Sequence, residues 1–326
     1  MQPIFPKALQ RGDTLGLVAP AGVVDRELAE RAIGRLEEAG FAIRVYGDLF
    51  RARGYLAGDD ATRATEINAA FADPEVAAVI PVRGGYGITR IVDQLDFEAL
   101  GRHPKIVTGF SDITALHLAI WRTTGLVTFH TPNLIDGLGT PEGLSDLSAR
   151  TFWRAVLAEQ YQGSSSSNVG PGYELPLTEA ERQKVSCLVP GTARGPIVGG
   201  NLSLVCALLG SPYEIDPAGC LLLLEDVDEQ PYHIDRFFSE LRLAGKFDRL
   251  AGVILGQFTD CLPSPGKASL TMDEVLSDYF AELGVPVLKN YPIGHAADNA
   301  TVPLGVEAEM DTEAGRITLL EDPVVT

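Results

Sequence analysis

The stretch Lys105–Trp121, KIVTGFSDITALHLAIW, decides the fold of the first half of this chain. The apolar pair Ile106-Val107 leads into the tetrapeptide Gly109–Asp112. From Ile113 onward the apolar residues recur every three or four positions, as one face of a helix requires. The sequence therefore predicts that a strand gives way to a helix at Ser111.

A serine at the junction between a strand and a helix has two interpretations. Backbone N–H groups at the start of a helix lack intrahelical partners, so they can hold the oxyanion that forms when a serine attacks a carbonyl group. This is the arrangement of the nucleophile elbow, G-x-S-x-G. Only Gly109 matches that pattern, because Ile113 stands where the second glycine should be. The more frequent alternative for a Ser-Asp pair before a helix is a plain N-cap.

Strands and helices alternate on both sides of this stretch. Apolar runs predict further strands at Thr14–Ala19, Phe41–Tyr46, Val76–Val82 and Leu126–Phe129. Helices are predicted at Arg26–Ala39, at Asp60–Phe71 and through Ile91-Val92. This alternation is typical of parallel strands joined by right-handed crossovers, so we predict an open α/β domain over residues 1–160, with helices flanking the sheet. In such sheets ligands bind beyond the carboxyl ends of the strands, where Pro20–Gly22, Arg83–Gly87 and Ser111 all fall.

The second half of the chain has a different pattern. Gly163–Asn168 and Pro171-Gly172 have the composition of a flexible connection, so residues 161–190 are interpreted as a linker. A smaller, β-rich domain is expected over residues 191–326. Its predicted strands are Cys220–Leu224, Gly252–Phe258, Pro286–Leu288 and Arg316–Leu320, with helices after Gly199-Gly200-Asn201 and over His233–Gly245.

Composition argues against several classes of partner. The 326-residue chain has a formal net charge of −18, and its acidic residues are spread along the chain, which disfavours nucleic acid and membranes. Neither a signal peptide nor a long apolar span is found. The four cysteines are widely spaced, with no C-x-x-C. We therefore expect a reduced cytoplasmic protein, with neither a disulfide framework nor a zinc site.

A nucleophilic serine needs a base and an acid that orients the base. Three of the five histidines are assigned to a polar turn, a helix face and a helix start: His103, His117 and His233. His130 follows an apolar strand and is expected near the site, whereas His295, in a loop after Gly294, is the preferred base. An inert loop histidine remains the alternative. Glu225 is the preferred acid because an apolar run carries it to a strand end.

Two motifs near these residues have other interpretations. The acidic cluster Glu225–Glu229 could be a solvated turn or a site for a hard cation, although its spacing matches no EF-hand loop. Gly84-Gly85 lacks the patterns of phosphate-binding and dinucleotide-binding loops. We expect the two glycines to allow close backbone approach and to supply an N–H group to an oxyanion.

Together the motifs resemble the LD-carboxypeptidase family, serine peptidases of peptidoglycan recycling that also include the microcin C self-immunity peptidases. The shared motifs are GLVAPAG, RGGYG, GFSD, TFHTPN, GGNLSL, LLLLEDVDEQPYHIDR and GH…PLG, and they cover nearly the whole chain. Each motif is modest alone, but their order and spacing together are specific. The resemblance implies an α/β N-terminal domain, a smaller β-rich C-terminal domain, and a cytoplasmic homodimer that uses no metal or other cofactor.

Carried over motif by motif, the resemblance implies a role for each site residue. Ser111 corresponds to the nucleophile, Glu225 to the acid and His295 to the base. The oxyanion amides correspond to those of Gly85 and Asp112. The implied reaction is hydrolysis, through an acyl-enzyme, of the L,D amide bond to the terminal D-alanine of a murein tetrapeptide.

Contacts with such a small peptide substrate are expected from Arg83, Gly84 and His130. The guanidinium of Arg83 suits a substrate carboxylate, and an interdomain salt bridge is the equal alternative.

Two other functions stay open at this stage. An immunity-type peptidase would cleave a peptidyl or aminoacyl nucleotide analogue, and would need an aromatic residue in a loop to stack on the base. Trp121 and Trp153 lie in or near predicted helices, so Tyr161 and Tyr173 are the aromatic residues of the intervening segment to consider. A non-catalytic binding module with two domains is the alternative of another class. The presence of all three triad residue types in family order argues against it.

Overall fold

The structure is a computed structural model that describes residues 2–157 and 172–326. Its strands are β1 (Thr14–Val18), β2 (Ala42–Val45), β3 (Val76–Pro81), β4 (Ile106–Gly109), β5 (Thr128–His130), β6 (Tyr173–Glu174), β7 (Ser186–Val189), β8 (Thr192–Asn201), β9 (Leu221–Val227), β10 (Gly252–Thr259), β11 (Val287–Lys289), β12 (Val302–Leu304), β13 (Glu307–Asp311) and β14 (Arg316–Leu319). Its α-helices are α1 (Arg26–Glu38), α2 (Asp60–Ala72), α3 (Phe97–Arg102), α4 (Ile113–Thr124), α5 (Asp146–Val156), α6 (Glu179–Arg182), α7 (Leu202–Ala207), α8 (Pro231–Leu243) and α9 (Met272–Phe280).

The described residues divide into two compact units. The first unit contains the described residues up to 157, and also Thr301–Gly305 and Pro323–Thr326. The second unit contains residues from 172 to 300, and Val306–Asp322. The chain therefore returns to the first unit twice after leaving it. None of the described helices is both long enough and apolar enough to cross a membrane.

The first unit is built on a sheet with the strand order β12-β5-β4-β3-β1-β2. Strands β1 to β5 pair in parallel, and β12 adds an antiparallel edge to β5. Apolar side chains of the intervening helices are buried, as on the face Ala29, Ala32 and Leu36 of α1. This confirms the predicted parallel α/β architecture. The helix expected through Ile91-Val92 is instead a pair of short 3-10 turns, because Ile91 has φ −126° and ψ −6°, outside the helical range.

The second unit is built on a mixed sheet with the order β6-β14-β13-β8-β9-β10-β11-β7. Its centre, β8 to β11, is parallel, and the flanking pairs are antiparallel. The predicted β-rich domain is confirmed. Strand β8 was not predicted, because Pro196, Gly199 and Gly200 interrupt its sequence and are typical of turns.

The linker expected over residues 161–190 needs correction where it is described. Residues 172–190 form β6, α6 and β7, so this segment supplies two strands of the second sheet. Hydrogen bonds to neighbouring strands override its weak local pattern, as β7 pairs with β11 and β6 with β14. Gly163–Asn168 and Pro171 lie outside the described residues.

Candidate active site

Ser111 occupies a strained turn between β4 and α4. It has φ +62°, a left-handed conformation that residues other than glycine rarely adopt. Gly109, just before it, has φ +133°, and an added Cβ atom there would lie 2.9 Å from Ile113 Cγ2. The N-cap of α4 is Asp112, and it makes no side-chain capping hydrogen bond. The turn is therefore not a plain Ser-Asp cap, and it has the strained serine that a nucleophile elbow requires.

Hydrogen bonds among buried polar groups fix the backbone of this turn. Phe110 N donates to Asn133 Oδ1 at 3.2 Å, and Thr131 N donates to the carbonyl oxygen of Gly109 at 3.1 Å. The Nε2 atom of His117 lies 2.9 Å from the same carbonyl oxygen. Burial lowers the pKa of His117 to about 4, so its imidazole is neutral and Nε2–H is the donor. His117 is thus a structural residue of the turn.

The loop after β3 lies directly against Ser111. An added Cβ atom on Gly84 would lie 3.1 Å from Ser111 Cβ and 3.2 Å from the carbonyl oxygen of Phe110. Gly85 has φ +102°, a conformation that favours glycine. Within the described part of the chain, the N–H groups of Gly85 and Asp112 donate no hydrogen bond. Both amides are therefore available to a ligand.

The side chain of Asp112 joins the start of α4 to the end of this loop. It is 1% exposed, and its Oδ2 atom accepts a hydrogen bond from Ile88 N at 2.9 Å. Burial raises the pKa of the carboxyl group above its ordinary value. The sequence pointed to the amide of Asp112 but not to this use of its side chain.

The two other expected substrate contacts have different outcomes. Arg83 is exposed, and its Nη1 atom donates to the carbonyl oxygen of Val23 at 2.6 Å. No carboxylate among the described residues forms a salt bridge with it. His130 has no exposed surface, and its ring packs edge-on against Phe110 with centroids 5.9 Å apart. His130 therefore packs behind the turn, and its contact with a bound peptide stays a prediction.

In the second unit, Glu225 and His295 form a hydrogen-bonded pair. The apolar residues Leu221–Leu224 of β9 are fully buried and carry Glu225, which also has no exposed surface. Its Oε2 atom lies 2.8 Å from His295 Nδ1. Gly294 has φ +129°, and an added Cβ atom would lie 2.9 Å from that same oxygen. Glycine is therefore required for the loop to bring His295 onto the carboxylate.

Hydrogen bonds of backbone N–H groups join this loop to β10 and fix its shape. Gln257 N donates to the carbonyl oxygen of Ile293 at 2.8 Å, and Gly294 N donates to Asn299 Oδ1 at 3.1 Å. The imidazole of His295 is thereby oriented with its Nδ1 atom toward Glu225.

Asp226 has a structural role that sequence reasoning missed. Its carboxylate accepts hydrogen bonds from Asn201 Nδ2 at 3.0 Å and Ser203 N at 2.9 Å, so it anchors the start of α7. Burial raises its pKa to about 6.

In the ranges 2–157 and 172–326, no three His, Cys, Asp or Glu side chains are grouped so as to hold a metal ion. The hard-cation interpretation of Glu225–Glu229 has no such donor set to support it.

Each unit has residue types that serine hydrolases use. One has a serine in a left-handed turn with unused amides beside it, and the other has a histidine held by a buried carboxylate.

Comparison with known proteins identifies the family. Residues 15–131 match the LD-carboxypeptidase N-terminal domain, and residues 194–310 match the LD-carboxypeptidase C-terminal domain. This chain belongs to the LD-carboxypeptidase family, as its motifs had indicated.

Its relatives include murein peptide carboxypeptidases and a microcin immunity protein. The chain is 42% identical over 307 residues to a probable murein peptide carboxypeptidase of Bacillus subtilis, which covers 94% of this chain and 91% of that relative. It is 31% identical over 302 residues to a murein tetrapeptide carboxypeptidase of Pseudomonas aeruginosa, covering 91% and 92%. The solved structure of MccF, a microcin C7 self-immunity protein, in complex with glutamyl sulfamoyl guanosine has a TM-score of 0.88 at 25% identity, covering 99% of this chain and 100% of that chain.

Proposed function

We propose that this protein is a serine carboxypeptidase that hydrolyses the L,D amide bond to the terminal D-alanine of murein tetrapeptides. Its family membership and the names of its relatives in Bacillus and Pseudomonas support the substrate class. The observation that carries the mechanism is the left-handed Ser111 with the Gly84 loop packed against it.

Ser111, His295 and Glu225 are proposed to act as a catalytic triad. Nε2 of His295 takes the proton from Ser111 Oγ as the oxygen attacks the carbonyl carbon of the L,D amide bond. The new C–O bond makes a tetrahedral intermediate, and the amides of Gly85 and Asp112 stabilise its oxyanion. Glu225 keeps Nδ1 protonated and stabilises the imidazolium.

Breakdown of the intermediate completes the acyl transfer. The C–N bond breaks, and His295 gives its proton to the departing amino group of D-alanine. Water then enters the acyl-enzyme, loses a proton to His295 and attacks the same carbonyl carbon. The C–O ester bond then breaks as His295 returns this proton to Oγ, which releases the tripeptide acid and restores Ser111 Oγ–H.

Arg83 is proposed to bind a carboxylate of the substrate. Its guanidinium is exposed, and the carbonyl oxygen of Val23 accepts from Nη1 only. A carbonyl partner leaves the positive charge uncompensated, which favours a carboxylate ligand over a purely structural role. Gly84 is proposed to line the same position through its backbone, close to Ser111.

Two of the aromatic residues considered for stacking on a nucleotide base, Tyr173 and Trp153, are packed within the fold, whereas Tyr55 and Tyr86 are 67% and 47% exposed. Tyr173 is buried on β6 at 7% exposure, and Trp153 packs between Phe41 and Phe152. Neither presents a free ring face to a base. Tyr161 lies outside the described residues.

The test is incubation of the wild type and Ser111→Ala with L-Ala-D-Glu-(meso-diaminopimelate)-D-Ala, followed by mass spectrometry. Loss of one alanine with the wild type alone is expected. Release with both proteins would reject Ser111 as nucleophile. No release, but cleavage of an aminoacyl sulfamoyl nucleotide, would move the assignment to the immunity-type peptidases. No cleavage and no labelling of Ser111 by a fluorophosphonate would favour a binding module.

Two further expectations belong to this proposal. The family resemblance implies the cytoplasmic location and the homodimeric state, and free cysteines are consistent with a reducing compartment. Light scattering on the purified chain tests the dimer directly.

A further inference from the structure

Among the residues that the structure describes, the largest side chain without exposed surface is a cation, Arg63 on α2. Its Nη1 atom donates to the carbonyl oxygens of Pro20 and of Gly87, the latter at 3.0 Å. Its Nη2 atom pairs with Asp60 Oδ1 at 2.6 Å. Burial of a guanidinium is unfavourable unless its donors are paired. These three partners bind Nη1 and Nη2 of Arg63, whereas its buried Nε has no hydrogen-bond partner among the described residues.

The two carbonyl groups belong to two loops that meet beside Ser111. Pro20 follows β1, and Gly87 closes the Arg83–Gly87 loop after β3. The loops are also joined directly, because Gly22 N donates to the carbonyl oxygen of Gly84 at 2.9 Å. Arg63 thus closes a ring of contacts that runs through both loops.

Gly85 lies within this ring. Gly84 is fixed by Gly22 on one side, and Gly87 is fixed by Arg63 on the other. The next residue, Ile88, donates its N–H to Asp112 at 2.9 Å. An added Cβ atom on Gly87 would lie 2.6 Å from Arg63 Nη1, so the loop backbone sits directly on the guanidinium.

We infer that Arg63 is a positioning residue that sets the direction of the Gly85 N–H group for the oxyanion. The inference rests on the proposed function of that amide. Arg63 itself touches no substrate. A lysine cannot replace it, because an ammonium group lacks the planar fork that reaches two carbonyl groups and a carboxylate at fixed angles.

The test compares Arg63→Lys and Arg63→Met with Arg90→Lys. Arg90 is a matched control because its side chain binds the same carboxylate, with Nη2 at 2.6 Å from Asp60 Oδ2, but donates to neither loop. The backbone N–H of Arg90, which donates to the carbonyl oxygen of Gly87 at 3.3 Å, is retained in Arg90→Lys. Amide hydrogen exchange is measured on peptides that cover residues 20–22 and 84–88. We expect exchange there to be at least about tenfold faster in both Arg63 variants and unchanged in Arg90→Lys.

Kinetics supply the second measurement. On the tetrapeptide, kcat should fall about 10–100-fold in Arg63→Lys while KM stays within about twofold, because the oxyanion amide acts in the transition state. The rate at which a fluorophosphonate labels Ser111 should fall in parallel. Faster hydrogen exchange with unchanged kcat and unchanged labelling would show that Arg63 is only a structural residue, and would overturn the inference. Unchanged hydrogen exchange in the Arg63 variants would also overturn it.

These measurements distinguish a failure of this inference from a failure of the proposed function. If the wild type does not cleave the tetrapeptide, hydrogen exchange and phosphonate labelling still decide the role of Arg63. If the Arg63 variants do not fold, Asp60→Asn weakens the Nη2 contact and leaves the buried cation in place. It should then slow labelling several-fold relative to Arg90→Lys, and equal labelling rates would overturn the inference.

Discussion

His295 Nδ1 lies 2.8 Å from Oε2 of Glu225, a carboxylate that has no exposed surface. A second pair in the same unit, His233 and Glu229, is closer, at 2.5 Å, but its side chains are 32% and 30% exposed. The two pairs therefore differ in burial. A contact shielded from water is both stronger and more rigid than an exposed one.

Replacing the buried carboxylate should therefore reduce catalysis. Glu225→Gln should lower kcat by about 10³-fold, since a neutral amide neither holds the required tautomer nor stabilises the imidazolium. Glu229→Gln is the matched control and should leave kcat unchanged. Steady-state kinetics on the tetrapeptide measure both, and equal values for the two variants would contradict the triad.

The backbone strain at Ser111 should be measurable as stability. Ser111→Gly relieves the left-handed conformation at φ +62°, whereas Ser111→Ala retains it. We expect a free energy of unfolding about 1 kcal/mol higher for Ser111→Gly than for Ser111→Ala, with both inactive. Urea denaturation gives the difference, and equal stability would show that the turn carries no strain.

Gly84 should tolerate no side chain. The Cβ atom of Gly84→Ala would lie 3.1 Å from Ser111 Cβ and 3.2 Å from Asn133 Nδ2, so the nucleophile has to move. We expect kcat to fall about tenfold or more. Gly34→Ala on α1 is the control: its Cβ atom meets nothing within 4 Å, and it should stabilise the protein by about 0.5–1 kcal/mol at full activity. Full activity in Gly84→Ala would argue against this packing.

Buried His117 should make the protein sensitive to acid. Its pKa is about 4 when folded and near its ordinary 6.5 when unfolded, so the unfolded chain binds the proton first as pH falls. The associated stability is complete above pH 6.5 and declines toward pH 4, by about 2–3 kcal/mol at pH 4.5. Urea denaturation at pH 7 and pH 4.5 should show this loss in the wild type and a smaller one in His117→Gln. The same pH dependence in both proteins would refute it.

Arg83 should affect substrate binding more than stability. Arg83→Ala should raise KM about tenfold with little change in kcat, as expected for a lost charge-assisted contact to a carboxylate. The melting temperature should hardly move, because the side chain is exposed. Arg102→Ala, which removes another exposed guanidinium, should leave KM unchanged. An unchanged KM in Arg83→Ala would reject the carboxylate contact.

The sequence predicted the elements with strong local periodicity. Helix α2 was expected at Asp60–Phe71 and runs over Asp60–Ala72, and the apolar run that carries Glu225 is strand β9. The change from a strand to a helix at Ser111 was also predicted. Each of these depends on a pattern within a dozen residues, which is the range that periodicity covers.

Features that depend on distant contacts were missed. Arg63 was not singled out in the sequence, because nothing near it along the chain shows that Pro20 and Gly87 are its partners. Asp226 likewise looked like part of a solvated acidic turn, yet it binds Asn201, 25 residues away. Burial of polar groups depends on tertiary packing, and a single sequence predicts tertiary packing only weakly.

Strand β12 limits how this chain can be divided for expression. It pairs with β5 at the edge of the first sheet, and Thr301 bonds Thr131 at 2.7 Å between hydroxyl oxygens. A recombinant fragment that stops at residue 157 would leave the backbone groups of β5 open, an edge that templates aggregation. A peptide spanning residues 300–306, added in trans or fused by circular permutation, should restore a closed edge and a monodisperse fragment.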